Sequence, residues 1–216
     1  TDFPRNETLI INNPENPSTN PSNFNMWVAG NGAAWSNGLH QLVLDTLWFI
    51  DPDNGLDGSM YNELATGPWV YNDDFTEMTV TLRQGILWSD GVEFTSADVK
   101  YTVETQIDNP GMVWSAPFAD AIESVDTPDD YTVHFKLKKP NARFHSLFTV
   151  RWNGAWIMPK HVFEQQADVK AFDFNPPVGL GPYTLNSFDP NGAWYIWEKR
   201  ADWDKSPTGI LYGEPK

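Results

Sequence analysis

The stretch VTLRQGILWSDGVEFTSADVKYTVE, Val80 to Glu104, constrains the fold more than any other part of the chain. Met78, Val80 and Leu82 alternate with Glu77, Thr79, Thr81 and Arg83, the period of a half-buried strand. Thr95 stands where a helix cap is needed, and Asp98, three residues on, can reach back to complete a capping box. Phe94 and Val99 occupy the two positions of a hydrophobic staple. Val99, Val103 and Ile107 then form one apolar helical stripe. The spacing predicts a strand, a tight turn, a polar loop and a capped helix, in that order.

The rest of the chain alternates less regularly. TLIINN, Thr8 to Asn13, reads as a first strand, and Pro14 to Asn25 as an irregular loop rich in Asn, Pro and Ser. Leu39, Leu42, Val43 and Leu47 have helical spacing, and Trp48 to Ile50 reads as a short strand. Glu63 to Thr66 reads as a helical turn before a strand near Trp69 to Tyr71, with Asn72-Asp73-Asp74 turning into the next strand. Short helices are expected at Trp114 to Ala121, Arg143 to Thr149 and Pro159 to Gln166. Hairpins are expected across Pro128-Asp129-Asp130 and across Asp189-Pro190-Asn191-Gly192. This order predicts a mixed α+β architecture rather than a doubly wound sheet.

Composition narrows the function. A net charge of −15, with no run of Lys or Arg, argues against nucleic acid and anionic lipid as partners. With no cysteine, a disulfide framework and a Cys-ligated zinc site are excluded. The four His (His40, His134, His145, His161) show no metal-ligand spacing, so no metal is expected. Asp51 to Gly58 invites a calcium reading, but twelve residues counted from Asp51 or Asp53 end on Asn62 or Leu64, not on the Glu such a loop requires. An Asx-Gly turn explains it better. Neither a Gly-x-Ser-x-Gly elbow nor a phosphate-binding loop is present, so no catalytic residue and no cofactor are assigned. The unusual figure is 11 Trp in 216 residues. Most will serve the core, but several sit in loops rich in Asn, Gly and Ser, where an aromatic wall beside placed polar groups suits a small-molecule site. These are Asn25-Met26-Trp27, the Asn31 to Asn37 loop around Trp35, and Arg151-Trp152-Asn153-Gly154-Ala155-Trp156. For each, the competing reading is a Trp that covers core beneath a loop. Trp69 and Trp88 lie in strand-like or signature segments, and the core reading is favoured there.

Leu-Arg-x-Gly, Trp-Ser-Asp-Gly and Phe-Thr-x-x-Asp-Val, in this order, resemble the signature of the family 5 substrate-binding proteins of ABC importers. Gly179-Leu180-Gly181-Pro182-Tyr183-Thr184-Leu185 is similar to the family's Gly-Thr-Gly-Pro-Tyr strand, with Leu180 in place of the usual Thr. Asp129-Asp130-Tyr131-Thr132-Val133, followed by Phe135 and Leu137, resembles its mid-lobe hairpin. The resemblance implies lobe one of a two-lobed periplasmic-binding-protein-like (type II) fold, with an extra subdomain. About 1–45 and 175–216 would form the main subdomain and about 46–174 the inserted one; Gly209 to Lys216 resembles the run toward the second lobe, which these residues lack. It also implies an aromatic at the cleft mouth, a place matched by Trp114, and a cleft-side tyrosine, matched by Tyr183. Ligand contacts are therefore expected from Asn25, Trp27, Trp35, Trp114, Arg151, Trp152 and Tyr183.

The resulting expectation is the extracytoplasmic binding component of an ABC transporter, periplasmic or extracellular and membrane-anchored as a lipoprotein in its full-length form. Its ligand would be a cello- or other β-linked oligosaccharide gripped between two lobes, and its partners the permease and the second lobe. An oligopeptide is the alternative ligand within the same family. A glycoside hydrolase using an acidic pair, and a carbohydrate-binding module, are the readings from other classes. The capped helix Ser96 to Asp108 argues against the module, which is commonly a β-sandwich.

Overall fold

The computed structural model describes residues 4, 7–11, 20–30, 38–50, 60–149, 154–192 and 194–215. Its largest sheet has four antiparallel strands in the order β3-β4-β6-β5, formed by β3 (Val70–Tyr71), β4 (Glu77–Thr81), β5 (Ile122–Asp129) and β6 (Thr132–Leu137). Two hairpins flank it: β1 (Trp48–Ile50) with β2 (Met60–Asn62), and β7 (Tyr183–Asp189) with β8 (Trp194–Lys199). The helices are α1 (Leu39–Leu42), α2 (Ser96–Asp108), α3 (Ser115–Ala121), α4 (Lys160–Phe163) and α5 (Pro207–Tyr212). Helices and antiparallel sheets mix as the α+β reading expects.

The signature stretch folds as its spacing predicts. Met78, Val80 and Leu82 point inward, and β4 pairs with β6 so that Val80 meets Val133 and Met78 meets Phe135. Thr95 and Asp98 form the capping box, with the Thr95 N–H donating to the Asp98 carboxylate at 2.9 Å. Phe94 and Val99 are both fully buried, and Val99 and Val103 lay the helix onto the sheet. Gly91 turns the Trp-Ser-Asp-Gly loop at φ +87°, a left-handed conformation that glycine adopts without strain. Around it, Trp88 N–H donates to the Val92 carbonyl at 2.8 Å. Trp88 itself is core, its Nε1 directed at Asp98.

Two hydrophobic cores result. The first gathers the four-stranded sheet, α2, Phe118, Phe144 and Phe148. The second gathers Phe24, Trp27, Leu39, Val43, Met112, Trp156, Met158, Phe163 and Phe174, and the β7–β8 hairpin covers it with Phe188, Tyr195 and Trp197. They meet at the Gly-Leu-Gly-Pro-Tyr segment. A Cβ on Gly179 would lie 2.1 Å from the Val43 carbonyl oxygen, and one on Gly181 would lie 2.3 Å from that of Leu42. The motif needs glycine because backbone packs directly on backbone there.

Four expectations are corrected. No strand forms over residues 8–11, whose Leu9, Ile10 and Ile11 are 83%, 68% and 78% exposed; Asn12 and Asn13 lie outside the described residues. A strand exists only through a partner ladder, and none meets residues 8–11 among the described residues. The helical run expected from Leu39 stops at Leu42, because the Val43 carbonyl accepts from the Gly181 N–H at 2.9 Å instead of continuing a helix. Glu63 to Thr66 is not helical: Ala65 bridges Leu82, and the Ala65 N–H donates to the Leu47 carbonyl at 3.1 Å. The helix expected at Pro159 to Gln166 is confined to the four residues of α4.

Two predictions follow from this packing. Gly181→Ala is expected to lower stability by about 3 kcal/mol, because backbone blocks the new methyl. Gly67→Ala, whose Cβ meets nothing within 4 Å, should stay within about 0.5 kcal/mol. Urea unfolding of the two variants checks both. The second concerns His145, whose ring stacks on Trp69 at 3.5 Å and 4°. Burial lowers its pKa from 6.5 to about 4, so the folded state binds fewer protons than the unfolded one. Its contribution is complete above pH 6.5 and is lost as pH falls toward 4. The stability advantage over His145→Phe should therefore shrink on acidification through that window, by less than about tenfold in the unfolding constant per pH unit because solvent screens the half-buried ring.

Candidate functional site

Three loops that carry sequence-selected residues converge at one end of the second core. Residues 24–28 run beside residues 112–114: Val28 bridges Met112, and the Val113 N–H donates to the Trp27 carbonyl at 2.9 Å. The Trp27 Nε1 donates to the Trp156 carbonyl at 2.8 Å, which brings in the third loop. The His40 ring lies against Trp156 with centroids 5.3 Å apart. Ala29, Gly30, Gly111 and Val113 form the exposed rim above this buried floor.

The predicted contacts divide within this arrangement. Asn25 and Trp27 are interior, at 0% and 1% exposure. Asn25 Nδ2 donates to the Val169 and Phe172 carbonyls at 2.8 Å each, clamping its loop to the segment after α4. Trp27 meets Phe163 and Phe174 edge-on at 5.1 and 5.5 Å. Neither has side-chain surface open to solvent, so both act here as the floor rather than the wall. Trp114 is half-buried at the start of α3, stacked on Phe118 at 5.9 Å. Tyr183 is half-buried at the first position of β7, opposite Lys199. Trp35, Arg151 and Trp152 lie outside the described residues.

One participant escaped the sequence reading. Gln106 is fully buried on α2, and its Oε1 accepts from the Trp114 N–H at 2.9 Å, fixing where that residue leaves the helix pair. Its signal was present in the sequence: position 106 lies three residues beyond Val103 on the apolar stripe, where a polar side chain needs a buried partner.

Among the described residues, burial raises the carboxyls of Asp45 and Asp98. Asp45 is interior, and burial raises its pKa from 3.8 to about 7, while the half-buried Glu63 beside it and Arg200 act in the opposite direction. A glycosidase keeps its two carboxyls about 5–9 Å apart across a sugar, with room for substrate between them. Asp98 is raised by burial, against the backbone N–H groups of Thr95 and Lys160 that hold its carboxylate. It is committed to capping α2 and to seating α4. Among the described residues, no group of three or more His, Asp or Glu is placed to hold a metal, and no helix is long and apolar enough to cross a membrane.

Comparison with known proteins agrees with this architecture. Residues 59–210 match the model of the bacterial extracellular solute-binding proteins, family 5. An uncharacterized protein of Sinorhizobium fredii is 30% identical over 169 residues, 74% of this chain and 24% of that protein. A probable D,D-dipeptide-binding periplasmic protein of Escherichia coli is 32% identical over 122 residues, 56% of this chain and 23% of that one. The periplasmic oligopeptide-binding protein of an oligopeptide ABC transporter from Thermotoga maritima, solved with mannohexaose bound, superposes with a TM-score of 0.73 at 26% identity. That match covers 91% of this chain and 34% of the solved one. The chain thus spans about a quarter of the length of the two relatives and about a third of the solved structure. With a family match over most of its length and the same type II binding-protein architecture, this chain belongs to the bacterial extracellular solute-binding proteins of family 5.

Proposed function

We propose that this chain forms one wall of a two-lobed receptor that takes up a β-linked oligosaccharide outside the cytoplasm and hands it to an ABC permease. The observation that carries the reading is the convergence of the 24–28, 112–114 and 154–156 loops on one rim, with Trp114 half-buried beside it. A sugar ring has an apolar C–H face that stacks on an aromatic plane, while its hydroxyls seek amides and charged groups. Trp114, Tyr183, Trp35 and Trp152 would supply the aromatic wall, with Arg151 as the polar group and Asn25 and Trp27 holding the floor. The mannohexaose bound to the Thermotoga maritima protein supports a sugar ligand for this architecture. The main subdomain would comprise about 1–45 and 175–216, and the inserted one about 46–174.

The mechanism is hinge closure. Contacts to both lobes favour the closed state, and the closed form is what the permease would recognise. No bond of the ligand is broken. The receptor would work on the periplasmic or extracellular side, held there in its full form by a lipid anchor. The name of the Escherichia coli relative supports a second reading, in which the same rim takes a short peptide.

Saturation-transfer NMR of this 216-residue chain with cellopentaose and with a tetrapeptide separates the two. The expected result is transfer to cellopentaose, lost in Trp114→Ala, with weak affinity because one wall alone holds the ligand. Transfer to the tetrapeptide alone would replace the sugar by the peptide. Micromolar or tighter binding, or cleavage of cellopentaose, would overturn the two-lobed receptor mechanism.

A further inference from the structure

Gln106 is fully buried on α2, and its carboxamide is only half used. Its Oε1 accepts from the Trp114 N–H at 2.9 Å, while its Nε2 is buried with no hydrogen-bond partner. The two polar side chains one and two turns before it, on the same helix face, are both engaged. Asp98 accepts from the Lys160 N–H at 3.0 Å, and Thr102 accepts from the Met158 N–H at 2.8 Å while donating to the Asp98 carbonyl at 2.7 Å. The bond that Gln106 does make falls where one is needed. Trp114 stands at the N-cap of α3, and its N–H meets no main-chain acceptor among the described residues.

For stability this arrangement is close to neutral. One hydrogen bond is made and one buried donor is left unsatisfied, and the penalty for the second is at least as large as the gain from the first. A methionine of similar length would remove the unsatisfied donor and leave the Trp114 N–H in its place. Stability therefore does not explain an amide at this position. What the amide supplies is a fixed point for Trp114. The Met112 N–H donates to the Asn109 carbonyl at 3.1 Å, the Ser115 N–H to the Met112 carbonyl at 3.2 Å and the Phe118 N–H to the Trp114 carbonyl at 3.0 Å, all within one stretch of chain. Val113 is tied to the Trp27 carbonyl, and Gln106 ties Trp114 itself to the capped helix. The indole stacks on Phe118 at 5.9 Å and 28°, and Phe118 on Phe148 at 5.4 Å and 21°. The core thus takes one face of a ring that is half-buried, which leaves the remaining surface for a ligand.

We propose that Gln106 is a positioning residue for ligand binding: its Oε1 sets the main chain of Trp114, and through it the angle and depth at which the indole meets the ligand, without touching the ligand itself. This rests on the reading of the 24–28, 112–114 and 154–156 rim as the ligand wall. An aromatic wall binds best when its plane is fixed beforehand, because freedom lost on binding is subtracted from affinity. A buried amide on a capped helix fixes that plane from the side the ligand does not reach.

Gln106→Met removes the acceptor, and Gln106→Glu keeps one at the same place; at about pH 5.5 burial holds that Glu neutral, so no charge is introduced. In the 216-residue chain labelled with 5-fluorotryptophan, the Trp114 resonance is the one missing from Trp114→Phe. The expected result is that this resonance moves or broadens in Gln106→Met and keeps its place in Gln106→Glu, while the unfolding constant of Gln106→Met in urea changes by less than about fivefold. Saturation transfer to cellopentaose should fall about tenfold in Gln106→Met and recover in Gln106→Glu. An unmoved Trp114 resonance in Gln106→Met, a fall in transfer matched by loss of folded protein, or a failure of Gln106→Glu to restore the signals would overturn the proposal. A Gln106→Met chain that does not fold would overturn it too, because the amide would then serve stability. Absence of transfer from the natural chain counts against the rim as a sugar wall and not against Gln106, whose hold on Trp114 the fluorine spectra decide.

Discussion

The guanidinium of Arg200 is the contact on which the remaining architecture depends. It is almost fully buried, and it donates to the carbonyls of Leu87 and Trp88 in the signature loop, to Gly181 in the Gly-Pro-Tyr segment, and to Asp202 beside it. Two pieces of backbone that leave their elements at this point bring three carbonyls that join no regular ladder. An unsatisfied buried carbonyl costs about 1–3 kcal/mol, so one planar cation serving three of them holds the joint together. The Asp202 carboxyl is lowered by these hydrogen bonds, as a carboxylate balancing a buried cation should be. The other ties at the same joint are neutral: the Ser89 N–H donates to the Gly179 carbonyl at 2.9 Å, and the Leu87 N–H to the Lys205 carbonyl at 3.1 Å.

That joint explains why the signature is spread along the chain yet reads as one motif. Trp-Ser-Asp-Gly turns back on itself through Gly91, and its Trp88 closes the first core over Asp98, the residue that caps α2. Asp98 also accepts from the Lys160 N–H at 3.0 Å, so the same carboxylate seats α4, which belongs to the second core. Thr102, one turn along α2, accepts from the Met158 N–H at 2.8 Å. A capped helix, a glycine turn and a glycine-rich strand are thus parts of one connection between two hydrophobic clusters.

The elements legible in the sequence were those whose causes are local. The capping box, the staple, the alternation through β4 and β6 and the two later hairpins each lie within a dozen residues or so, and each formed where the pattern put it. The misreadings came where a distant segment decides. The apolar spacing from Leu39 to Leu47 was correct about burial but not about helix, because Gly181, far along the chain, takes the Val43 carbonyl. Thr8 to Ile11 has strand composition without a strand partner among the described residues. In the candidate site, loop composition picked out the segments around Trp27 and Trp156 and the family resemblance picked out Trp114, but neither could separate a floor from a wall. Trp27 and Asn25 are flanked by the same Asn and Gly as a surface loop, and only the approach of Phe163, Phe174 and the Val169–Phe172 segment puts them inside.

A floor of this kind has a consequence for specificity. Trp27 holds the 154–156 loop through its indole N–H and the 112–114 loop through its carbonyl, while Gln106 fixes the entry to α3 from below. Rim positions such as Ala29, Gly111 and Val113 are exposed and carry no side-chain hydrogen bond among those described. Substitution at the rim therefore leaves the floor intact, and loops on a rigid scaffold tolerate such change better than the elements beneath them. A scaffold divided this way can exchange one ligand class for another without refolding. Under the proposed function, ligand class would change at the rim, while the Arg200 joint and the capped helix stay with the fold rather than with the ligand.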